Sequence, residues 1–226
     1  MVKKALISIC FIIIGISIFL GLKTKASFVE LPPLDELKKI NPRISYISTE
    51  EDDRSHEYYY KYDIENLDDL LNFSDLVLEV QPLDEGTPVA SSLLRKSKVL
   101  NVLKGEYNNE EVYIYEPSYF MDIECYMCIQ GYVSMIEGES YVIFLQKIDV
   151  PKNMKKNTLQ NGYFFTNASL GKFKLGQDAI LSDFNDDKEI YFNDIYELSV
   201  LFKLQKDVDL YNKLLKELEA RYKYIR

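Results

Sequence analysis

The sequence predicts a mainly β fold. A small closed or partly open β-barrel follows a short N-terminal helix, and a long C-terminal helix follows the barrel, all behind an apolar N-terminal segment. Three observations predict this. Short apolar runs alternate at period two and are separated by turns containing glycine. The connections between those runs are too short for helical crossovers, which favours a barrel over a parallel sheet. From Asn193 onward the apolar period becomes helical. A length of 226 residues suits one ordinary domain with appendages, or two small domains at most. With 47% hydrophobic and 28% charged residues the chain can build a core.

The first element is the run Ala5–Leu22, eighteen residues without a charge. As a helix it spans roughly 27 Å, close to the thickness of a bilayer core. It is apolar all round, whereas a helix on a globular core carries one polar face. Lys3 and Lys4 precede it, which favours a cytoplasmic N-terminus and export of everything behind it. Two fates follow. The segment stays as a membrane anchor, or a signal peptidase cuts after Ala26. The length of the run and the closing Lys23 and Lys25 favour the anchor. Cys10 lacks the flanking pattern of a lipoprotein cleavage site and reads as a packing or lipid-facing residue.

Residues 27–62 read as an extended tether. They hold Pro32, Pro33, Pro42 and the charged stretch Glu50–Arg54, none of which favours a core element. The barrel region spans residues 63–192. Asp63 can cap a short helix whose stripe is Ile64, Leu67, Leu70 and Leu71. Strands are expected at Leu76–Gln81, Ser97–Leu103, Val112–Tyr115, Tyr132–Ile136, Tyr141–Gln146, Phe164–Phe165, Lys172–Leu175 and Ala179–Leu181. Loops are expected at Pro82–Leu94, Glu116–Gln130 and Pro151–Asn161. Residues 193–226 form the C-terminal amphipathic helix, with a break foreseen near Lys206 and Asp207. Its apolar stripe fits either a partner-binding helix or packing across an open end of the barrel, and the periodicity favours the second.

Several stretches carry a resemblance. They are SDLVLEV at Ser74–Val80, KVLNVLKGEY at Lys98–Tyr107, EVYIYEP at Glu111–Pro117, the cysteine loop, EGESYVIFL at Glu137–Leu145 and GKFKL at Gly171–Leu175. In order and spacing they resemble the netrin-like barrels of the tissue inhibitors of metalloproteinases, and their uncharacterised bacterial cell-surface relatives. The resemblance covers about half of the chain. It implies an OB-type barrel and stops short of an activity. The animal inhibitors reach a protease zinc through a cysteine at the mature N-terminus. This chain has no cysteine ahead of its barrel region apart from Cys10, so that mechanism does not carry over.

Charge and composition exclude several classes. The net charge is −9, and the first 26 residues hold four lysines and no acid. The remainder therefore has 23 bases against 36 acids, or −13, and should repel phosphate backbones. Nucleic acid is not an expected partner. His56 is the lone histidine, and in an extended chain its neighbours Ser55 and Glu57 point to the face opposite to it, so the three do not converge. Asp183, Asn185 and Asp187 have the spacing that starts a calcium loop. Lys188 stands where that loop needs glycine, and Asp194 where it needs a bidentate Glu. The acidic pairs Asp68-Asp69 and Glu110-Glu111 read as solvated surface in a chain with 36 acids. No metal, cofactor or catalytic set is expected.

Cys125 and Cys128 form the sharpest local feature. In an exported domain they read as a disulfide candidate or a free pair in a barrel loop. Thiol–disulfide exchange would need that motif to open a helix after a strand, which the polar surroundings do not offer. Eighteen tyrosines suit barrel strands and also contact surfaces. The aromatic loop from Tyr115 to Tyr132 supplies the candidate surface: Tyr119, Phe120, Tyr126 and Tyr132. The expected function is a non-catalytic cell-surface binding or structural module. It is held in the membrane through residues 5–22, or secreted after cleavage, and meets an extracytoplasmic protein partner. The alternatives are a regulator of an extracytoplasmic peptidase and an exported thiol–disulfide protein using Cys125 and Cys128.

Overall fold

In the computed structural model, residues 13–15, 17, 32–47, 63–89, 91–148, 162–181 and 189–222 are described. Most of the run 5–22, the cleavage point at Ala26, His56, the loop 151–161, and Asp183, Asn185 and Asp187 lie outside them. The chain divides into two compact units, Met1–Glu30 and Leu31–Arg226. In the first, Ile13–Gly15 and Ser17 are helical and exposed. Among the described residues no helix is long and apolar enough to cross a membrane.

Five strands of the second unit close a barrel. They are β2 (Leu76–Pro82), β4 (Ser92–Lys104), β5 (Glu111–Glu116), β8 (Tyr141–Lys147) and β9 (Gly162–Phe165). Their order is β8-β2-β4-β5-β9, and β9 pairs back onto β8. Every pairing is antiparallel except β5 with β9, where Ile114 faces Tyr163. This closure is compatible with an OB-like barrel. Side-chain parity builds the interior: Leu76, Leu78 and Val80 meet Val112, Ile114, Tyr141, Ile143, Leu145 and Phe165. The thirteen-residue β4 serves both neighbours, with Leu93–Lys98 on β5 and Ser97–Lys104 on β2. Register shifts at Val77/Leu78 and Glu79/Val80 bend that pair, as closure requires. A short strand, β3 (Thr87–Val89), folds back on β4 inside the expected loop 82–94.

The opposite faces of β2 and β8 are also buried. Val77, Val142 and Phe144 pack under helices α2 (Leu67–Phe73) and α4 (Gln205–Tyr222), which contribute Leu67, Leu70, Tyr211, Leu214 and Leu218. Strands covered on both faces read as continuous apolar runs, as VIFL in β8 does. The α2 cap is Asn66, three residues later than the expected Asp63.

Three expectations are corrected. The first is the tether. Residues Leu34–Ile40 form helix α1 and Arg43–Ile47 form β1, with Leu37 and Ile44 in the core. The prolines do not oppose this. Pro33 precedes the first helical turn, where a missing N–H costs nothing, and Asn41 closes the helix in the left-handed region at φ 52°. The second is the loop Glu116–Gln130, which is a hairpin of β6 (Ser118–Asp122) and β7 (Cys125–Ile129). With β1 parallel to β7 it makes a second sheet, β1-β7-β6, and in sequence only Pro117 separates β6 from the barrel strand β5. Conversely Tyr132–Ile136 is not a strand; only Tyr132 bridges, to Val200.

The third is the single long C-terminal helix. Its apolar stripe crosses a break between α3 (Phe192–Ile195) and α4, well before Lys206. Between them β12 (Leu201–Phe202) pairs with β11 (Ile180–Leu181), and the Leu201 N–H donates to the Gly131 carbonyl at 2.8 Å. Those long-range bonds outweigh a helical stripe of i, i+3 spacing. The remaining strand among the described residues, β10 (Lys172–Phe173), lies on β8.

Candidate functional site

A charged cluster plugs one end of the barrel. Arg95 comes from β4, Glu116 from the end of β5 and Lys172 from β10, and all three are at most 2% exposed. Arg95 Nε donates to Glu116 Oε1 at 2.8 Å, and Arg95 Nη1 donates to the Asp84 carbonyl. Lys172 Nζ donates to the Val133 carbonyl and lies 4.2 Å from the Tyr132 ring centre. Glu116 Oε2 accepts from Met135 N–H at 3.2 Å, and the Tyr141 hydroxyl accepts from Ile136 N–H at 3.0 Å. The cluster thus satisfies successive backbone groups of 133–136, which have no ladder partner. A segment that would otherwise bury bare amides is held as ordered coil.

The electrostatics follow from burial and neighbours. Burial pulls the Arg95 guanidinium down, but the Glu116 charge and hydrogen bond more than offset it and leave it above its ordinary value. Burial lowers Lys172 from 10.5 to about 7, against the opposing pull of Glu116. The Tyr132 hydroxyl, buried beside this group, has no partner among the described residues, and desolvation raises its pKa. An amine of this kind is nucleophilic when reachable. At 2% exposure Lys172 is not reachable, and the cluster organises the barrel end.

The accessible feature is an open groove of about 560 Å³ on the barrel wall. Tyr107, Tyr113 and Tyr163 line it with Asn109, Glu110, Glu111, Lys147 and Gly162. The Tyr107 hydroxyl donates to the Glu111 carbonyl at 2.6 Å, and its ring meets Tyr163 edge-on at 6.1 Å. Burial raises the pKa of Tyr107 and Tyr163. Tyr113 points outward and is 40% exposed. Lys96 pairs with Glu111 at 2.8 Å. The Glu110 carboxylate and the Lys147 ammonium have no side-chain partner among the described residues. Gly162 makes the floor: a Cβ there would stand 2.4 Å from the Tyr115 ring.

The sequence-predicted residues fall elsewhere. Cys125 and Cys128 lie on strand β7, not in a loop, and both are free thiols. Three residues apart on an extended strand, they face opposite sides with Cα atoms separated by roughly 10 Å, beyond the roughly 7 Å a disulfide spans. The disulfide candidate is therefore corrected to two separate thiols. Cys125 packs against Met127, with sulfurs 3.7 Å apart, and Cys128 joins the core of the second sheet. Burial raises the pKa of both thiols, opposite to what exchange chemistry needs. Tyr126 and Tyr132, at 0% and 1% exposure, are core residues and are corrected as contact candidates. Phe120 meets Tyr126 with its ring tilted and centroids 4.8 Å apart, Tyr119 packs beside Ile129 and Ala168, and Phe120 and Tyr119 are half-buried. Asp194 accepts from the Tyr191 N–H and caps α3, while Glu189 pairs with Arg43.

Sequence reading missed both the plug and the groove. Glu116 did carry a signal, since it continues the inward parity of Val112 and Ile114; Arg95 follows Leu93 in the same way. Nothing in sequence marks Lys172. The groove joins residues 107–113 to 147 and 163, a proximity that only barrel closure produces. Comparison of the chain with protein-family models, curated proteins and solved structures finds no match.

Proposed function

We propose that this chain is a non-catalytic cell-surface contact module. An N-terminal membrane segment holds it, and a netrin-like barrel presents its contact surface outside the cytoplasm. The groove at Tyr107, Tyr113 and Tyr163 carries the reading. The barrel interior is filled by its own side chains and one end is plugged, so a ligand has no room inside. The outer wall instead offers an exposed ring, with a carboxylate and an ammonium that have no side-chain partner among the described residues, in one concavity. The membrane part rests on the uncharged run Ala5–Leu22, within which Ile13 and Ile14 are helical and more than half exposed.

The test places a photo-crosslinking amino acid at position 113 in intact cells, with position 209 on α4 as the exposed control. The expected outcome is a discrete adduct from 113 alone, formed on a chain that fractionates with membranes and is cut by externally added protease. Equal background at both positions, or a chain protected inside the cell, overturns the reading.

A further inference from the structure

Helix α1 and strand β1 are held by the second sheet and by residues 190–193, and among the described residues β1 pairs with no barrel strand. On one side β1 runs parallel to β7. On the other, the Ile44 N–H donates to the Ile190 carbonyl and the Phe192 N–H donates to the Pro42 carbonyl, both at 2.8 Å. Asn193 Nδ2 donates to the Lys38 carbonyl at 2.9 Å. These two elements therefore open without breaking a barrel ladder, as a local unit does.

One carboxyl lies where that opening matters. A cavity of about 10 Å³ sits under α1, lined by Leu34 and Leu37 of α1, Phe192 of α3, and Leu93, Met135 and Glu85 of the plugged barrel end. It has room for about one water. We propose that α1 and β1 form an acid-set latch, which Glu85 holds closed when its carboxyl is neutral and loosens when it is ionised.

The sign follows from hydration. Among the described residues Arg95 favours the carboxylate, while Glu137, Asp84 and Glu116 oppose it. Burial outweighs the Arg95 charge and keeps the carboxyl above its ordinary value. From the side of α1 and α3 the lining is Leu34, Leu37, Phe192 and Tyr196. The Tyr196 hydroxyl donates to Glu197, and Lys38 lies over the Tyr196 ring, 4.1 Å from its centre. Docked α1 thus meets an ionised Glu85 with apolar side chains, and an undocked α1 admits the water that the carboxylate needs. The docked state binds the Glu85 proton more tightly, so by reciprocity the proton tightens docking. Closure strengthens as the pH falls through the titration of this carboxyl and weakens as it rises. Release moves the first packed residue from Leu34 to Ile64, which lengthens the chain between the run Ala5–Leu22 and the barrel.

The experiment compares the full-length wild type with Glu85→Gln, in detergent, by hydrogen exchange at about pH 7.5 and about pH 5. The ratio of wild-type to variant protection at the Ile44 and Phe192 amides should rise at least about twofold on acidification. The ratio at Phe144, in the barrel wall, should stay constant. A constant or falling ratio at Ile44 and Phe192 overturns the proposal, and so does an equal rise at Phe144, which would place Glu85 in the global fold. Leu37→Ala, which loosens α1, supplies the reciprocal readout. Followed by carbon-13 NMR, the Glu85 carboxyl should titrate closer to an ordinary carboxylate in that variant, and an unmoved titration overturns the latch. The groove at Tyr107, Tyr113 and Tyr163 shares no residue with the latch. Failure here leaves the contact-module reading standing, and failure at position 113 leaves the latch.

Discussion

Lys172 lies in the barrel end with its Nζ on the Val133 carbonyl and its charge over Tyr132. Burial lowers its pKa from 10.5 to about 7, although the Glu116 charge pulls it back up. In the unfolded chain the amine keeps its ordinary value. Below pH 7 both states hold the proton, and the cost of desolvating the ammonium is present in full. Between pH 7 and 10.5 the unfolded state binds more protons than the native state, so this residue makes stability rise with pH. Cys128, Tyr132 and Tyr141 face the same amine and have raised pKa values, which lower stability once the pH exceeds their ordinary range. Glu116, Arg95 and Lys174 also act on it. A difference measurement isolates the amine. From pH 7 to pH 9 the wild type should gain roughly 2–3 kcal/mol relative to Lys172→Met, read by urea unfolding at each pH. Parallel pH profiles for the two proteins would show that the ammonium is solvated.

Helix α2 shows how a short element survives between the barrel wall and α4. Seven residues are too few for a helix stable on its own, so caps and packing decide. Asn66 Oδ1 accepts from the Asp69 N–H at 3.0 Å, and Asp69 Oδ2 accepts from the Asn66 N–H at 3.2 Å. Glu217 on α4 accepts a further free N–H, that of Leu67, at 3.1 Å. Asn66→Ala should cost about 1 kcal/mol in thermal unfolding, and Asn66→Asp should restore most of it. An unchanged melting temperature in Asn66→Ala would assign the helix to Leu67 and Leu70 alone.

Elements of this kind separate what sequence can reveal from what it cannot. Strands β2, β4, β5 and β8 were legible because inward parity alternates or both faces are apolar. The hairpin β6–β7 was not: all five residues of CYMCI are buried, so no period distinguishes strand from buried loop. Prolines hid α1 and β1, since Pro33 and Pro42 flank those elements rather than interrupt them. At the candidate site the acidic pair Glu110-Glu111 looked like ordinary solvated surface. Only the approach of β9 makes it one wall of a groove.

The second unit joins its barrel, its β1-β7-β6 sheet and its C-terminal segment at one crossing, where the hairpin exit meets β12. Gly131 stands there at φ 75°, its carbonyl accepting from the Leu201 N–H at 2.8 Å. A Cβ on Gly131 would lie 1.8 Å from the Leu201 carbonyl oxygen. Neither the backbone conformation nor the space admits a side chain, and the obstacle is backbone, which no rotamer change relieves. Tyr132 bridges Val200 at the next residue, so the crossing sets where residues 132–136 enter the charged plug. Gly131→Ala should therefore cost at least about 3 kcal/mol and act on distant parts together. By hydrogen exchange, Leu201, Phe202 and the β7 amides should lose protection first, and Met135 and Ile136 with them. Val142–Leu145 in the barrel wall, held by β2, should open only with global unfolding. Uniform loss of protection would mean that the crossing is part of one cooperative core; retention of the wild-type pattern would mean that the chain can part from β12 without consequence. The graded order is expected because β8 is paired with β2 along five residues and covered by α2 and α4 as well as by Val200 and Phe202, whereas the plug segment depends on its point of entry.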